Sequence, residues 1–242
     1  MLLHGSTSSS NTWWQVAPEL ADRGWTVEAL DLPSHGASPS AQKPLTPALA
    51  AVAVRAEVGT RTVDVLVGHS FGAAVAAEIP TIARSLVLEE LPGPASVAWR
   101  DEARAVLNSA VDARADRVGA VSRTRRDQPR WQEQDCEHAV DDLAGCHPPD
   151  IAAGLEVGPD WLPLSTMRRI TRPVLLLLAP DAPSINQLED ATALRGPDRR
   201  RARRALNADL QVLDTGHCLH RDDPDGWLRH VHSTADGRTS TN

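Results

Sequence analysis

The stretch Thr62-Val63-Asp64-Val65-Leu66-Val67-Gly68-His69-Ser70-Phe71-Gly72-Ala73-Ala74-Val75-Ala76-Ala77 decides the fold. Its first part is β-branched and apolar and ends at a glycine, the pattern of a buried strand. Its last part is small and apolar, a helix over Phe71–Ile79 buried on all sides and cut by Pro80. Between them, Gly68-His69-Ser70-Phe71-Gly72 fits G-x-S-x-G. Such a turn lifts a serine hydroxyl above the sheet. The glycines let neighbouring backbone pass, and the helix N-terminus favours developing negative charge. The five-residue pattern alone is weak; between a strand and a small-residue helix it is specific.

Outward from this unit the chain alternates strands and helices. Upstream, Met1-Leu2-Leu3-His4-Gly5 reads as the end of a buried strand running into a glycine loop. The chain is therefore expected to begin inside an element, with its true start further upstream, and the missing leader says nothing about location. A helix over 13–22 with Asn11-Thr12 as its cap, a strand over Trp25–Leu30, and a helix from Pro47 to about Glu57 capped by Thr46 follow. Downstream, Ser85–Leu88 is a strand, and Val174–Leu178 after Pro173 is the clearest strand of the chain. An arginine-rich helix near 198–206, a strand over Leu210–Leu213 and a helix opening at Asp223-Pro224 complete the order. Residues 92–165 hold helical patterns and no good strand, so they form an insertion between two strands. This predicts an α/β fold, a mostly parallel doubly wound sheet. Residues 1–91 and 166–242 are its core and 92–165 a helical insertion.

The 242 residues carry a net charge of −7, with 41% hydrophobic and 24% charged residues. That excludes a disordered or collagen-like chain and argues against nucleic-acid binding. No apolar run nears the ~20 residues of a membrane span. Lys43 is the one lysine among 25 basic residues, a mark of a GC-rich gene. Three cysteines in no framework favour a reducing, cytoplasmic setting.

A serine needs a base, and nine histidines compete. His217 follows the last strand, where a loop can swing back over Ser70; His220 is the reserve. His69 adjoins the serine, but its side chain is expected to point away from the elbow tip. His4 and His35 sit in glycine turns and are read as loop anchors. Two carboxylates compete to orient the base: Asp181 after the Leu-rich strand and Glu90 after the strand before the insertion. The chain order Ser70…Asp181…His217 favours Asp181. Backbone N–H groups of Phe71 and Ser6 are the candidate oxyanion donors.

With these residues in place the chain resembles the α/β-hydrolase superfamily. The likeness rests on Leu2–Gly5, Trp14, Asp31–Ser38, Gly68–Gly72, Pro173–Asp181 and Gly216-His217 followed by Asp223-Pro224. It implies an eight-stranded sheet order, a helical cap and a Ser–acid–His triad. The first two strands and most of the third are absent. The family's strand-end aspartate would fall on Ala182, one residue beyond Asp181, which keeps Glu90 in contention. Ser34 stands where the family's turn has a glycine.

These readings together predict a serine hydrolase cleaving a small or medium ester, thioester or lactone. C–C bond hydrolysis, or a non-catalytic ligand-binding role, is the alternative. No cofactor or metal is expected: the spacing of Cys136, His138, Cys146 and His147 fits no common zinc pattern. The arginines of 199–204 are read as a solvated helix face. Trp99, Trp131 and Trp161 are candidates to line an acyl pocket or to fill the core. The expected partner is a small molecule, neither nucleic acid nor membrane, with a homodimer left open.

Overall fold

The computed structural model describes residues 1–93, 97–157, 163–181 and 193–235. Its strands are β1 (Leu2–Leu3), β2 (Ala29–Leu30), β3 (Val63–His69), β4 (Ala83–Glu89), β5 (Val174–Leu178) and β6 (Asp209–Val212). They form one parallel sheet in the order β2-β1-β3-β4-β5-β6. The described residues thus hold six of the eight strands that the resemblance implies.

Alternation along the central strands builds two cores. Leu66, Leu86, Leu88, Leu176 and Leu178 face helices α2 (Pro47–Val58) and α3 (Phe71–Glu78). Val65, Val67, Val87, Leu175 and Leu177 face α1 (Val16–Asp22), Trp13 and Trp227. Both faces are covered, so these strands read as apolar runs and not as alternating ones. β1 is two residues long, yet Leu2 and Leu3 pair with β2 on one side and β3 on the other.

The insertion between β4 and β5 is helical: α4 (Val97–Ala115), α5 (Arg117–Asp127), α6 (Glu133–Gly145), α7 (Pro148–Glu156) and α8 (Leu164–Met167). Three of its aspartates, all buried, fasten it to core loops. Asp135 accepts from Trp14 Nε1 and Gln15 Nε2, both at 2.8 Å. Asp142 accepts from Ser9 Oγ at 2.6 Å, and Asp150 from Ser34 Oγ and Ser40 Oγ at 2.7 Å each. Helices α9 (Gly196–Leu206), α10 (Leu219–Asp222) and α11 (Pro224–Ala235) complete the core.

Three local expectations are corrected. The strand expected over Trp25–Leu30 is confined to Ala29–Leu30, because Trp25 N–H is spent on the carbonyl of Leu20. The helix expected from Trp13 is split: a 3-10 turn over Ser10–Trp13, capped by Ser9, precedes α1. Pro18 then falls in the first turn of α1, where a missing N–H costs nothing. In α9 the arginine face is solvated except at Arg199, which is buried and donates to the Ala179 carbonyl.

Candidate active site

The elbow is built by close backbone contact. Ser70 is held at φ 50° and ψ −115°, a conformation that costs a non-glycine residue free energy. Its N–H donates to the Glu89 carbonyl at 2.8 Å, tying the turn to the end of β4. A Cβ on Gly68 would strike the Gly72 carbonyl, and one on Gly72 would strike the carbonyl oxygens of Leu3 and His4. The two glycines are therefore required by packing of β1, β3 and α3 against one another.

Glu90 follows β4 with φ 48°, and its N–H donates to the Leu177 carbonyl at 2.9 Å. That turn aims its wholly buried side chain between β5 and the loop after β6. Its carboxylate accepts from Ala179 N–H at 2.7 Å, from Arg195 at 3.2 and 2.7 Å, and from His217 Nδ1 at 3.1 Å. Burial pushes the Glu90 pKa up, but the hydrogen bonds and charges of His217 and Arg195 outweigh it, and the net shift is downward. Glu90 is thus ionised and pairs with His217 through Nδ1–H, which leaves His217 Nε2 as the basic nitrogen.

His217 sits in the loop after β6, 8% exposed. Asp222 accepts from Gly216 N–H at 2.7 Å and fixes the loop. His69 Nε2 donates to the His217 carbonyl at 3.0 Å, with the two rings 4.9 Å apart. His69 therefore does not point away from the site: it lines the cleft and holds the base loop. Burial keeps its pKa well below the ordinary value, so it is a neutral donor. Nothing in the sequence beyond its place in the elbow signalled this part.

Ser70, His217 and Ser6 line one cleft of about 320 Å³, whose wall also includes Trp131, Leu143 and Arg221. Phe71 is the first residue of α3, directly after the serine, and Ser6 follows β1. Among the described residues the Ser6 N–H carries no hydrogen bond. Trp131 lines the cleft, one of the two roles open to it; the side chains of Trp99 and Trp161 fall outside the described residues. His4 and His35 anchor loops: His4 Nε2 accepts from Leu32 N–H at 2.9 Å, and His35 Nε2 from Thr7 N–H at 3.1 Å. Desolvation brings the His35 pKa down to about 3.

Asp181, the acid favoured by chain order, is not the carboxylate on His217. Its Oδ1 accepts from Gly196 N–H at 2.9 Å and pairs with Arg199 at 3.2 Å, and its side chain is 54% exposed. Lying one residue short of the family's strand-end position, it serves the start of α9 instead. His220, the reserve base, is also committed elsewhere. It bonds Glu89 through Nδ1 at 2.7 Å and Thr12 through Nε2 at 2.8 Å. Among the described residues no three His, Cys, Asp or Glu side chains are grouped to hold a metal ion, and no helix is long and apolar enough to cross a membrane.

A parallel sheet with a serine at a strand–helix elbow, and a histidine and acid on later loops, defines a class of hydrolase fold. The chain belongs to the alpha/beta hydrolase family, whose model matches residues 1–230. Solved structures agree. A thioesterase domain from a curacin biosynthetic pathway is 22% identical, over 96% of this chain and 89% of that one, with a TM-score of 0.70. A thermophilic esterase from Thermogutta terrifontis is 19% identical over 98% and 89%, with a TM-score of 0.72. An N-formylmaleamic acid deformylase from Pseudomonas putida S16 is 20% identical over 95% and 90%, with a TM-score of 0.70. At these identities the likeness is one of fold. No curated protein matches the chain.

Proposed function

We propose that the protein is a serine hydrolase that cleaves a carboxylic ester, thioester or lactone through an acyl-enzyme on Ser70. The observation that carries this reading is the pairing of His217 with the buried, ionised Glu90 while His217 and Ser70 line the same cleft. Ser70 Oγ attacks the carbonyl carbon. His217 Nε2 takes the serine proton and returns it to the leaving group. Amides of Phe71 and Ser6 stabilise the oxyanion, and a water deprotonated by His217 then releases the acid. Glu90 stabilises the imidazolium that forms in each half-reaction. The helices of residues 92–165 act as the cap over this chemistry, setting substrate size and shape. The buried thiols of Cys136 and Cys146 suit a cytoplasmic setting. No step calls for a metal or organic cofactor.

Labelling with a fluorophosphonate probe and peptide mass spectrometry tests the proposal. The expected result is one adduct on Ser70, absent after heat denaturation and lost in His217→Ala. An ester and lactone panel then defines the acyl group. A folded protein that takes no label and turns over no ester overturns the reading and leaves a non-catalytic ligand-binding member of the fold.

A further inference from the structure

Arg221 is the most unusual charge in the cleft wall. It lies in α10, four residues after His217, and it is buried. Its guanidinium carbon lies over the Trp131 ring, 4.4 Å from the ring centre, which restrains the group. Its Nε–H donates to Thr12 Oγ1 at 3.0 Å, which fixes the rotation within the guanidinium plane. Thr12 is itself held by the hydrogen bond to His220, and His220 by Glu89. The nearest carboxylate, Asp135, stands 3.8 Å from Nε, and its oxygens already accept from Trp14, Gln15 and the Gln132 N–H. Among the described residues, neither terminal nitrogen of Arg221 has a hydrogen-bond partner.

A guanidinium presents five N–H donors in a planar fork that matches a carboxylate two bonds at a time. Here one edge of the fork is fixed in place, and the edge made by the two terminal nitrogens is unused. The buried charge is paired with Asp135 only on its Nε side, and loosely, at 3.8 Å. The one other charged residue lining the cleft, Asp127, is exposed.

We propose that Arg221 is the specificity-determining residue of this cleft and binds a carboxylate on the substrate. The substrate class is then a mono-ester or thioester of a dicarboxylic acid. Its scissile carbonyl sits at Ser70, and its free carboxylate takes two hydrogen bonds from the Arg221 terminal nitrogens. This rests on the hydrolase reading for the reacting end, but the carboxylate site stands on Arg221, Trp131 and Thr12 alone.

The test uses matched 4-nitrophenyl hemiesters of succinate, glutarate and adipate, and the same compounds with the free carboxylate capped as a methyl ester. For at least one chain length, wild-type kcat/KM is expected to favour the acid over its capped partner by about 10- to 100-fold, the range for a hydrogen-bonded charge. In Arg221→Met that ratio falls to near one; in Arg221→Lys it is intermediate. An equal fall for both partners in Arg221→Met would mean that Arg221 only fastens the insertion to the core, and would overturn the proposal. So would a wild type with no preference at any length. Titration of Ser70→Ala with glutarate by calorimetry separates the two readings. Binding that is lost in Ser70→Ala/Arg221→Met supports the carboxylate site even if no ester is ever hydrolysed. Absence of binding counts against the site even if ester turnover is found. Arg221→Lys serves in place of Arg221→Met should the latter fail to fold.

Discussion

Two neighbouring glutamates at the end of β4 each hold a histidine, and the two pairs differ in what surrounds them. Glu90 reaches His217, which lines the cleft beside Ser70. Glu89 reaches His220, whose other nitrogen is closed off by Thr12 and whose ring packs 4.3 Å from Trp13. Glu89 also accepts from Trp227 Nε1 at 2.8 Å. The same chemistry is thus built twice. In one copy every donor and acceptor is consumed inside the protein. In the other, the histidine lines the cleft beside Ser70. The difference comes from successive side chains pointing to opposite sides of the sheet, and from the positive φ of Glu90, which turns its side chain toward the loop of the base.

The largest expected effect falls on the pair whose histidine lines the cleft. Glu90→Gln keeps the shape but removes the charge that, in the proposed mechanism, stabilises the imidazolium. We expect kcat to drop by about 10³- to 10⁴-fold, as when a triad acid is replaced by its amide. Steady-state ester hydrolysis checks this, with a melting curve to confirm folding. A drop under tenfold would mean that Glu90 does not support the base.

The closed pair is expected to act on stability. Glu89→Ala strands the buried Trp227 and His220 donors, at a cost of about 3–5 kcal/mol. Urea denaturation reads this directly. If Glu89→Ala removed activity while leaving the unfolding midpoint unchanged, the division of labour between the pairs would be wrong.

The two carboxylates also titrate in opposite directions. Both have an ordinary pKa of 4.5. The folded Glu90 pKa is lowered. Its contribution to stability is present above pH 4.5 and is lost as the pH falls through its lower folded value. The folded Glu89 pKa is raised, by burial first, against the hydrogen bonds it accepts. Its ionisation therefore costs stability as the pH rises from 4.5 through its higher folded value. Unfolding free energy measured against pH should lose part of its acid-side slope in Glu90→Gln. In Glu89→Gln it should decline less between pH 4.5 and neutrality.

The elbow was legible because it is local: strand, glycines, serine and small-residue helix are contiguous between Val63 and Glu78. His217 was legible because a glycine–histidine pair after a final strand has one place to go. The choice between Glu90 and Asp181 was not, since it turns on a single-residue register and on the backbone turn at Glu90, and no side-chain pattern encodes either. Arg195 on Glu90 and Arg221 on Trp131 were also hidden. They lie 105 and 90 positions from their partners, in a chain where nearly every basic residue is arginine. Asp135, Asp142 and Asp150 looked like ordinary helix aspartates; only their burial against the loops of Ser9, Trp14 and Ser34 shows them to be fasteners.

The smallest effect is expected where chain order had placed the acid. Asp181→Asn keeps an oxygen for the Gly196 N–H and loses a half-exposed ion pair with Arg199. Such a pair contributes up to about 1 kcal/mol in solvent. Arg199 keeps its bond to the Ala179 carbonyl, so the strand end next to Glu90 should hold its position. Ester turnover in Asp181→Asn is then expected within about twofold of wild type, as for surface changes away from the reacting groups. The informative variant is the double one. If Glu90→Gln and Asp181→Asn act independently, their effects on kcat multiply. If Asp181 takes over from an absent Glu90, the double variant falls well below that product, and the acid position would be shared between the two loops.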